Sequence, residues 1–367
     1  MARLELKSVG KRFGVVHPAD GVSLTVEPGE IVAVFGPSGS GKTVLLRMIA
    51  GMFEPDDGDI LVGGRSIVGA APERRGIGMA FQNFALFPHM TARDNIASGL
   101  GAKRAAPDAA ARVEAISRLL KIEHVLGHAP RELSNGQKQR TALARALIGN
   151  PDVLLLDDPL RNVDAKLRYE MRLELPNLLR RGTAAVLYVT QDYREAMAIS
   201  DRIAVLVGGR LEQVACPEAI YGAPASVAVA RLFGDPSINL AEVKPFAEHG
   251  TLSAMVSGAK VRLGSSDGHL PDRPCWLGVR PEDLVISFSD SEDAIPAHIL
   301  AVTPMHEKAV LLLRLSDGTE WLTALPPEAP HGAANDAVFV RFAPEAALLF
   351  DRATGLRIGL SHRRQAA

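Results

Sequence analysis

The chain has 367 residues, 47% of them apolar and 23% charged, which is long for one ordinary domain and comfortable for two, each with its own core. A formal net charge of −1 and an aromatic content of 5% remove the electrostatic pull and the stacking platform of a nucleic-acid binder, so no nucleic-acid partner is expected. No stretch approaches the roughly 18 consecutive apolar residues that cross a bilayer, and residues 1–14 lack a signal-peptide core, so any membrane role needs another chain to do the spanning.

Residues 1–14 read as a strand followed by a turn. The apolar run 31–35 ends in Gly36-Pro37-Ser38-Gly39-Ser40-Gly41-Lys42-Thr43, and 44–52 read as a helix. Strand, glycine-rich loop and helix are what a phosphate loop requires. Glycines let backbone amides point at phosphate oxygens, and the helix starting at Val44 adds its positive N-terminal dipole. Lys42 is expected to reach the β- and γ-phosphates of ATP, and Thr43 to offer a hydroxyl to Mg²⁺. Further on, the alanine-rich stretch 102–111 looks like a helix start after Pro107. A helix is expected over 137–148, with Leu143, Ala146 and Leu147 on one face.

Residues 153–156 are an apolar strand ending in Asp157 and Asp158, the place where a phosphate-loop enzyme needs a carboxylate for its Mg²⁺ shell. Short apolar runs follow at 184–189 and 203–207, and strands alternating with helices predict a mostly parallel sheet covered by helices. Gly208-Gly209 and 210–214 read as a hairpin, and 227–233 as a last helix before Gly234-Asp235-Pro236, where the domain boundary is expected: 1–235 and 236–367. Beyond it, short strands at 259–263, 275–279, 309–315, 321–325 and 337–342, with turns at Asp267-Gly268 and Asp317-Gly318, predict a small β-barrel. Cys216 and Cys275 lie far apart without ligand-like spacing and read as reduced thiols.

Leu133-Ser134-Asn135-Gly136-Gln137, followed by a helix, resembles the LSGGQ signature of ABC ATPases. Ser134 and the Gly136 backbone would sit at a helix N-terminus, a ready anion site. Other marks of that family follow in order over residues 4–235. The resemblance implies that Phe13 stacks on adenine and that Gln82, in Met79-Ala80-Phe81-Gln82-Asn83, is the Q-loop residue sensing Mg²⁺ and the attacking water. It implies that residues 86–91 receive a helix of a membrane subunit, and that Asp164 lies at a dimer seam. Each nucleotide would be sandwiched between one subunit's phosphate loop and Ser134, Asn135, Gly136 and Gln137 of the other. The implied catalytic group is Asp158, Gln82 and Gln191; the implied metal set is Thr43, Gln82 and Asp157.

Three residues depart from the family pattern. Asp158 stands where most relatives have Glu, and losing a methylene retracts the carboxylate by about 1.5 Å, a misplacement of the order that costs about a hundredfold in rate. Gln191 stands where relatives have a histidine against the γ-phosphate; it donates a hydrogen bond but carries no charge. Asn135 replaces the first signature glycine, a mild change because asparagine tolerates unusual backbone angles. Asp158, Gln191, Lys42 and Phe13 belong to the chain's own nucleotide site, so that site is expected to be degenerate while the signature remains serviceable. The implied partner is a second ATP-binding subunit, either an identical copy or an unlike chain with the usual Glu and His.

Leu277-Gly278-Val279-Arg280-Pro281-Glu282 resembles a stretch in the OB-like regulatory domain of maltose-type importer ATPases. Asn162-Val163-Asp164-Ala165-Lys166-Leu167-Arg168 is similar to carbohydrate-importer ATPases, and Glu174-Leu175-Pro176 to the glycerol and polyol branch. The fold implied is an α/β ABC ATPase domain with a helical signature subdomain, followed by an OB-like β-barrel. The function implied is ATP-driven uptake of a sugar, sugar alcohol or similar solute at the cytoplasmic face of the inner membrane, through permease subunits and, indirectly, a solute-binding protein. A non-hydrolytic regulatory subunit and a soluble ABC factor remain the alternatives.

Overall fold

The computed structural model describes residues 2–161, 163–180, 182–265 and 273–359; Asn162 and the expected turn at Asp267-Gly268 lie outside the described residues. Two compact units divide the chain, Met1–Ile220 and Tyr221–Ala367. The division falls ahead of Gly234-Asp235-Pro236 because the last helix buries Ala230 with Ile238, Leu348 and Phe350, all in the second unit.

In chain order, the first unit contains β1 (Leu4–Phe13), β2 (Val16–Val26), β3 (Ile31–Phe35), α1 (Lys42–Ile49), β4 (Asp57–Val62), β5 (Arg65–Ser66) and β6 (Ile77–Ala80). Then come α2 (Ala92–Ser98), α3 (Ala109–Leu119), α4 (Asn135–Ile148), β7 (Val153–Asp157), α5 (Ala165–Arg180), β8 (Ala185–Thr190), α6 (Tyr193–Ile199), β9 (Arg202–Val207) and β10 (Arg210–Ala215). A six-stranded sheet has the order β10-β9-β3-β8-β7-β6, and all its pairings are parallel except β10 with β9. Every residue of β3, β7 and β8 is buried, the continuous apolar run that a sheet covered on both faces demands.

A second, antiparallel sheet of order β2-β1-β4-β5 was not legible beyond its first strand. Its inward residues, Leu4, Leu6, Val22, Leu24 and Ile60, share one core with β3, α1 and one face of β7 and β8. A separate core under α2, α3, α4 and α5 holds the helical signature region on the other side of the parallel sheet. The parallel arrangement sends the C-terminal ends of β3, β7 and β8 to one edge, and the candidate site is built there.

After α7 (Pro217–Gly222), the second unit contains α8 (Val227–Leu232), β11 (Asn239–Val243), β12 (Phe246–Glu248), β13 (Thr251–Val256), β14 (Ala259–Ser265), β15 (Cys275–Val279), β16 (Val285–Ser287) and β17 (Ile295–Pro304). It closes with β18 (Ala309–Leu315), β19 (Glu320–Leu325), β20 (Ala337–Arg341), β21 (Leu348–Asp351) and β22 (Arg357–Ile358). Three antiparallel sheets, β11-β15-β21-β22, β12-β13-β14 and β16-β20-β17-β18-β19, enclose one core around Trp321, Leu311 and Leu277 in an OB-like arrangement. Arg280 is the bolt of this unit. It is buried, donates to the carbonyls of Phe233 and Tyr221 at 2.6 Å each, and stacks 3.5 Å from the centroid of the Tyr221 ring. Both cysteines are free.

Candidate functional site

The loop between β3 and α1 can be built only with glycine at two points. Gly41 has φ +106°, and a Cβ there would lie 1.8 Å from the carbonyl oxygen of Pro18. At Gly36 a Cβ would lie 2.0 Å from the carbonyl oxygen of Leu206. The loop is therefore pressed against its neighbours with no side chain between. Lys42 is buried, and its Nζ donates to the carbonyls of Gly36 at 2.8 Å and Pro37 at 2.7 Å and to Ser40 Oγ at 3.4 Å. Burial pushes its pKa down, while Asp158 and Asp157 push it back up.

Thr43 Oγ1 donates to Asp157 Oδ1 at 3.3 Å, so the hydroxyl at the start of α1 and the carboxylate at the end of β7 stand side by side. That pair of hard oxygens fits Mg²⁺, which takes one or two protein oxygens and completes its shell with phosphate and water. Among the described residues no group of three His, Cys, Asp or Glu forms a self-sufficient metal cage. Burial raises the pKa of both Asp157 and Asp158; Thr43 opposes the rise at Asp157, and Arg161 opposes it at Asp158.

Asp158 has φ +51°, and its backbone is held on both sides. Its N–H donates to Val189 O at 2.9 Å, and its carbonyl accepts from Gln139 Nε2 at 2.8 Å and from the Arg161 N–H at 3.3 Å. Gln191 follows β8, where Thr190 Oγ1 accepts from the Asp192 N–H at 3.0 Å and donates to Glu195 Oε2 at 3.1 Å. Glu195, buried, also accepts from Tyr188 Oη at 2.9 Å, and Arg172 bridges it and Asp192. Burial drives the Glu195 pKa up.

A pocket of about 310 Å³ gathers Ser38, Gly39, Gly41, Lys42, Thr43, Val44, Gln82, Asp157, Asp158 and Gln191, together with Pro18, Val189 and Arg161. Gly36, Pro37 and Ser40 stand behind it as the acceptors of Lys42. Phe13, 45% exposed and edge-on to Phe53 with centroids 5.6 Å apart, lies outside the pocket lining. So do Ser134, Asn135, Gly136, Gln137 and Asp164.

Ser134 caps α4: its Oγ accepts from the Gln137 N–H at 3.3 Å, and Gln137 Oε1 accepts from the Ser134 N–H at 2.8 Å. Asn135 is simply the first helical residue, so no unusual backbone angle is asked of it, and the helix begins two positions before the sequence-based start. Asp164 Oδ1 accepts from the Leu167 N–H at 3.0 Å and caps α5.

Sequence reasoning missed the residues that brace these loops. Arg145 of α4 donates to Ala85 O at 2.8 Å and Phe84 O at 3.2 Å, just after Gln82, where both residues are left-handed at φ +46° and +65°. Asn95 of α2 donates to the carbonyls of Phe87, Met90 and Thr91 and accepts from the Phe87 N–H. The Arg145 contacts join segments far apart in the chain, whereas those of Asn95 are local but follow from how the preceding loop folds back on α2, which no residue pattern announces. A larger pocket, about 780 Å³, lies beside this loop, lined by Met52, Phe81, Phe87, Gly99 and Arg145 among others.

A phosphate loop, a strand-end carboxylate and a helical signature on one parallel sheet define the class, an α/β nucleotide-binding ATPase. Residues 19–161 match the family described as ABC transporter, and residues 277–350 the TOBE domain. The sn-glycerol-3-phosphate import ATP-binding protein UgpC of Cereibacter sphaeroides is 39% identical over 98% of this chain and 100% of its own length. Its namesake from Cupriavidus pinatubonensis is 42% identical over 77% of this chain and 80% of its own. A solved dimeric ATP-binding cassette in a post-hydrolysis state with ADP and Pi is 30% identical, with a TM-score of 0.54, over 58% of this chain and 98% of that one. The chain belongs to the ATP-binding proteins of ABC transporters, which bind ATP and are ATPases.

Proposed function

We propose that this chain is the ATP-binding subunit of an importer for sn-glycerol-3-phosphate or a closely similar polyol phosphate, and that its own pocket binds ATP firmly but splits it slowly. The solute comes from the relatives' names, all of the same import system at 35–42% identity for those compared, and it narrows the expected sugar or polyol. The slow site rests on one observation: the backbone of Asp158 is held by Val189, Gln139 and the Arg161 turn, so it cannot advance to make up for the shorter side chain. A carboxylate retracted by about 1.5 Å reaches less far toward an attacking water, and Gln191 adds no charge beside it.

In this reading Gly36 to Val44 hold the phosphates, with Lys42 exchanging loop carbonyls for phosphate oxygens. Thr43, Asp157 and Gln82 hold Mg²⁺, which when bound neutralises charge on the transferred phosphoryl group. Phe13 packs on the adenine. Ser134, Asn135, Gly136, Gln137 and Asp164, outside the pocket lining, serve the nucleotide of a second ATP-binding subunit across a seam. The apolar pocket beside Phe81 and Phe87 receives a segment of a membrane permease, which holds the chain at the cytoplasmic face, and a solute-binding protein feeds that permease from the far side. Among the described residues no helix is long and apolar enough to cross a membrane.

Steady-state ATPase of the purified full chain tests the slow site. The expected result is low turnover that rises at least about tenfold when Asp158→Glu is combined with Gln191→His. Robust turnover by the unaltered chain, abolished by Lys42→Ala, would overturn the slow-site reading and leave ordinary ATPase action.

A further inference from the structure

The lining of the nucleotide pocket contains one charged side chain, among the described residues, to which neither the motifs nor the family resemblance gives a role. Arg161 sits in the turn after β7, three residues beyond Asp158. Its backbone is tied down: the N–H donates to Asp158 O, and the carbonyl accepts from Arg168 Nη2 at 3.1 Å. Its side chain is half exposed, and Nη1 lies 3.7 Å from Asp158 Oδ2. That separation exceeds the roughly 2.7–2.9 Å of a charge-assisted hydrogen bond. The guanidinium is thus anchored at its root and loosely held at its head.

The charges lining this pocket explain what the head is for. Among the described lining residues the cations are Lys42 and Arg161, and the anions are Asp157 and Asp158. Lys42 is rooted among the carbonyls of Gly36 and Pro37, inside the phosphate loop. Gln191, beside Asp158, is neutral. A terminal phosphate entering between Asp158 and Gln191 therefore meets a carboxylate whose charge within the pocket lining is offset by Lys42 and Arg161, and of these two only Arg161 has a head that is not rooted in the phosphate loop.

We propose that Arg161 is a phosphate-binding residue of this chain's own pocket, whose guanidinium leaves Asp158 and takes the γ-phosphate of a nucleoside triphosphate, so that the pocket distinguishes ATP from ADP. The guanidinium fork matches two phosphate oxygens where an ammonium offers a single point charge. The same movement removes the countercharge that Asp158 has in the resting pocket. This inference rests on the reading that the pocket holds ATP, and the test separates the two.

Equilibrium binding of ADP and of a non-hydrolysable ATP analogue, both with Mg²⁺, is measured on the full chain and on Arg161→Ala, Arg161→Gln and Arg161→Lys, with thermal melting as a folding check. Arg161→Ala and Arg161→Gln are expected to weaken the triphosphate analogue about 10- to 100-fold and to leave ADP within about twofold, while Arg161→Lys recovers part of the loss. Equal weakening of both nucleotides, or no weakening of either, would overturn the role of Arg161. Should one neutral variant fail to fold, the other carries the comparison. Lys42→Ala is the separate control: if it leaves both affinities intact, or if the unaltered chain binds neither nucleotide, the pocket is not the nucleotide site and this inference falls with it.

Discussion

Replacing Arg145 with alanine should loosen the loop after Gln82 while leaving the central sheet folded. Arg145 ties α4 to that loop through Ala85 O at 2.8 Å and Phe84 O at 3.2 Å, and its guanidinium lies 5.5 Å from the centroid of the Phe87 ring. Hydrogen bonds to a charged donor contribute about 1.5–3 kcal/mol each when buried. Both carbonyls are partly accessible and regain water, so the pair is worth roughly 1–3 kcal/mol together. Two adjacent non-glycine residues at positive φ are a further reason for the loop to relax once released. A loss of that size is smaller than the 5–15 kcal/mol that typically holds a whole domain, so the consequence is local opening.

Amide exchange reads this directly. The N–H groups of Phe84, Ala85 and Phe87 donate to Phe81 O, Asn83 O and Asn95 Oδ1, so each is protected in the closed loop. Arg145→Ala is expected to speed their exchange about 5- to 150-fold, with the amides of β3, β7 and β8 unchanged. ATPase coupled to a permease should fall while nucleotide affinity holds. Unaltered exchange at these three amides would refute the idea that α4 sets the loop.

Gly41→Ala places a Cβ on the Pro18 carbonyl at φ +106°, adding about 1–3 kcal/mol of backbone strain to the clash; nucleotide binding should vanish and the melting temperature fall, and retained binding would show that the loop can shift. Glu195→Gln tests the buried carboxylate behind Gln191. Because burial raises its folded pKa above the ordinary 4.5, the stability this group lends is full below that pH and is lost as pH rises through the folded value. Urea unfolding at several pH values should therefore show the variant gaining on the unaltered chain from acid to neutral pH, and a constant difference would contradict it. Arg280→Lys keeps the charge but loses the paired donation to Phe233 and Tyr221 and the stacking on Tyr221; the second unit should lose about 2–4 kcal/mol in urea unfolding.

What the sequence disclosed was whatever physics confines to a short window. The loop from Gly36 to Thr43 announces itself because Gly36 and Gly41 are forced by contacts that tolerate no side chain, and Asp157 because a carboxylate closing an apolar strand stands out in sequence although it is buried. The pattern of five short strands from 259 to 342 was legible because turns punctuate it. The antiparallel sheet of β1, β2, β4 and β5 was not, since its pairing of Leu4 with both Val26 and Val62 spans segments with no shared pattern. Arg145, Asn95, Arg161 and Glu195 escaped for a related reason. Each acts on a partner chosen by the fold, and an isolated polar residue on a helix or turn looks like surface until that partner is in place. The case of Asn135 shows the opposite error, in which a backbone argument was applied to a residue that is plainly helical.

The cap of α4 has a consequence of its own. Ser134 and Gln137 already satisfy one another, so an anion arriving at this helix start competes with an internal ligand. Opening the two bonds costs roughly 1–2 kcal/mol, which lowers the apparent affinity of the lone helix end for phosphate by about 5- to 30-fold. Free phosphate has nothing to set against that deficit, whereas an anion delivered with contacts from a docked surface does. If a second subunit's nucleotide does meet this helix start, the cap makes that contact depend on assembly.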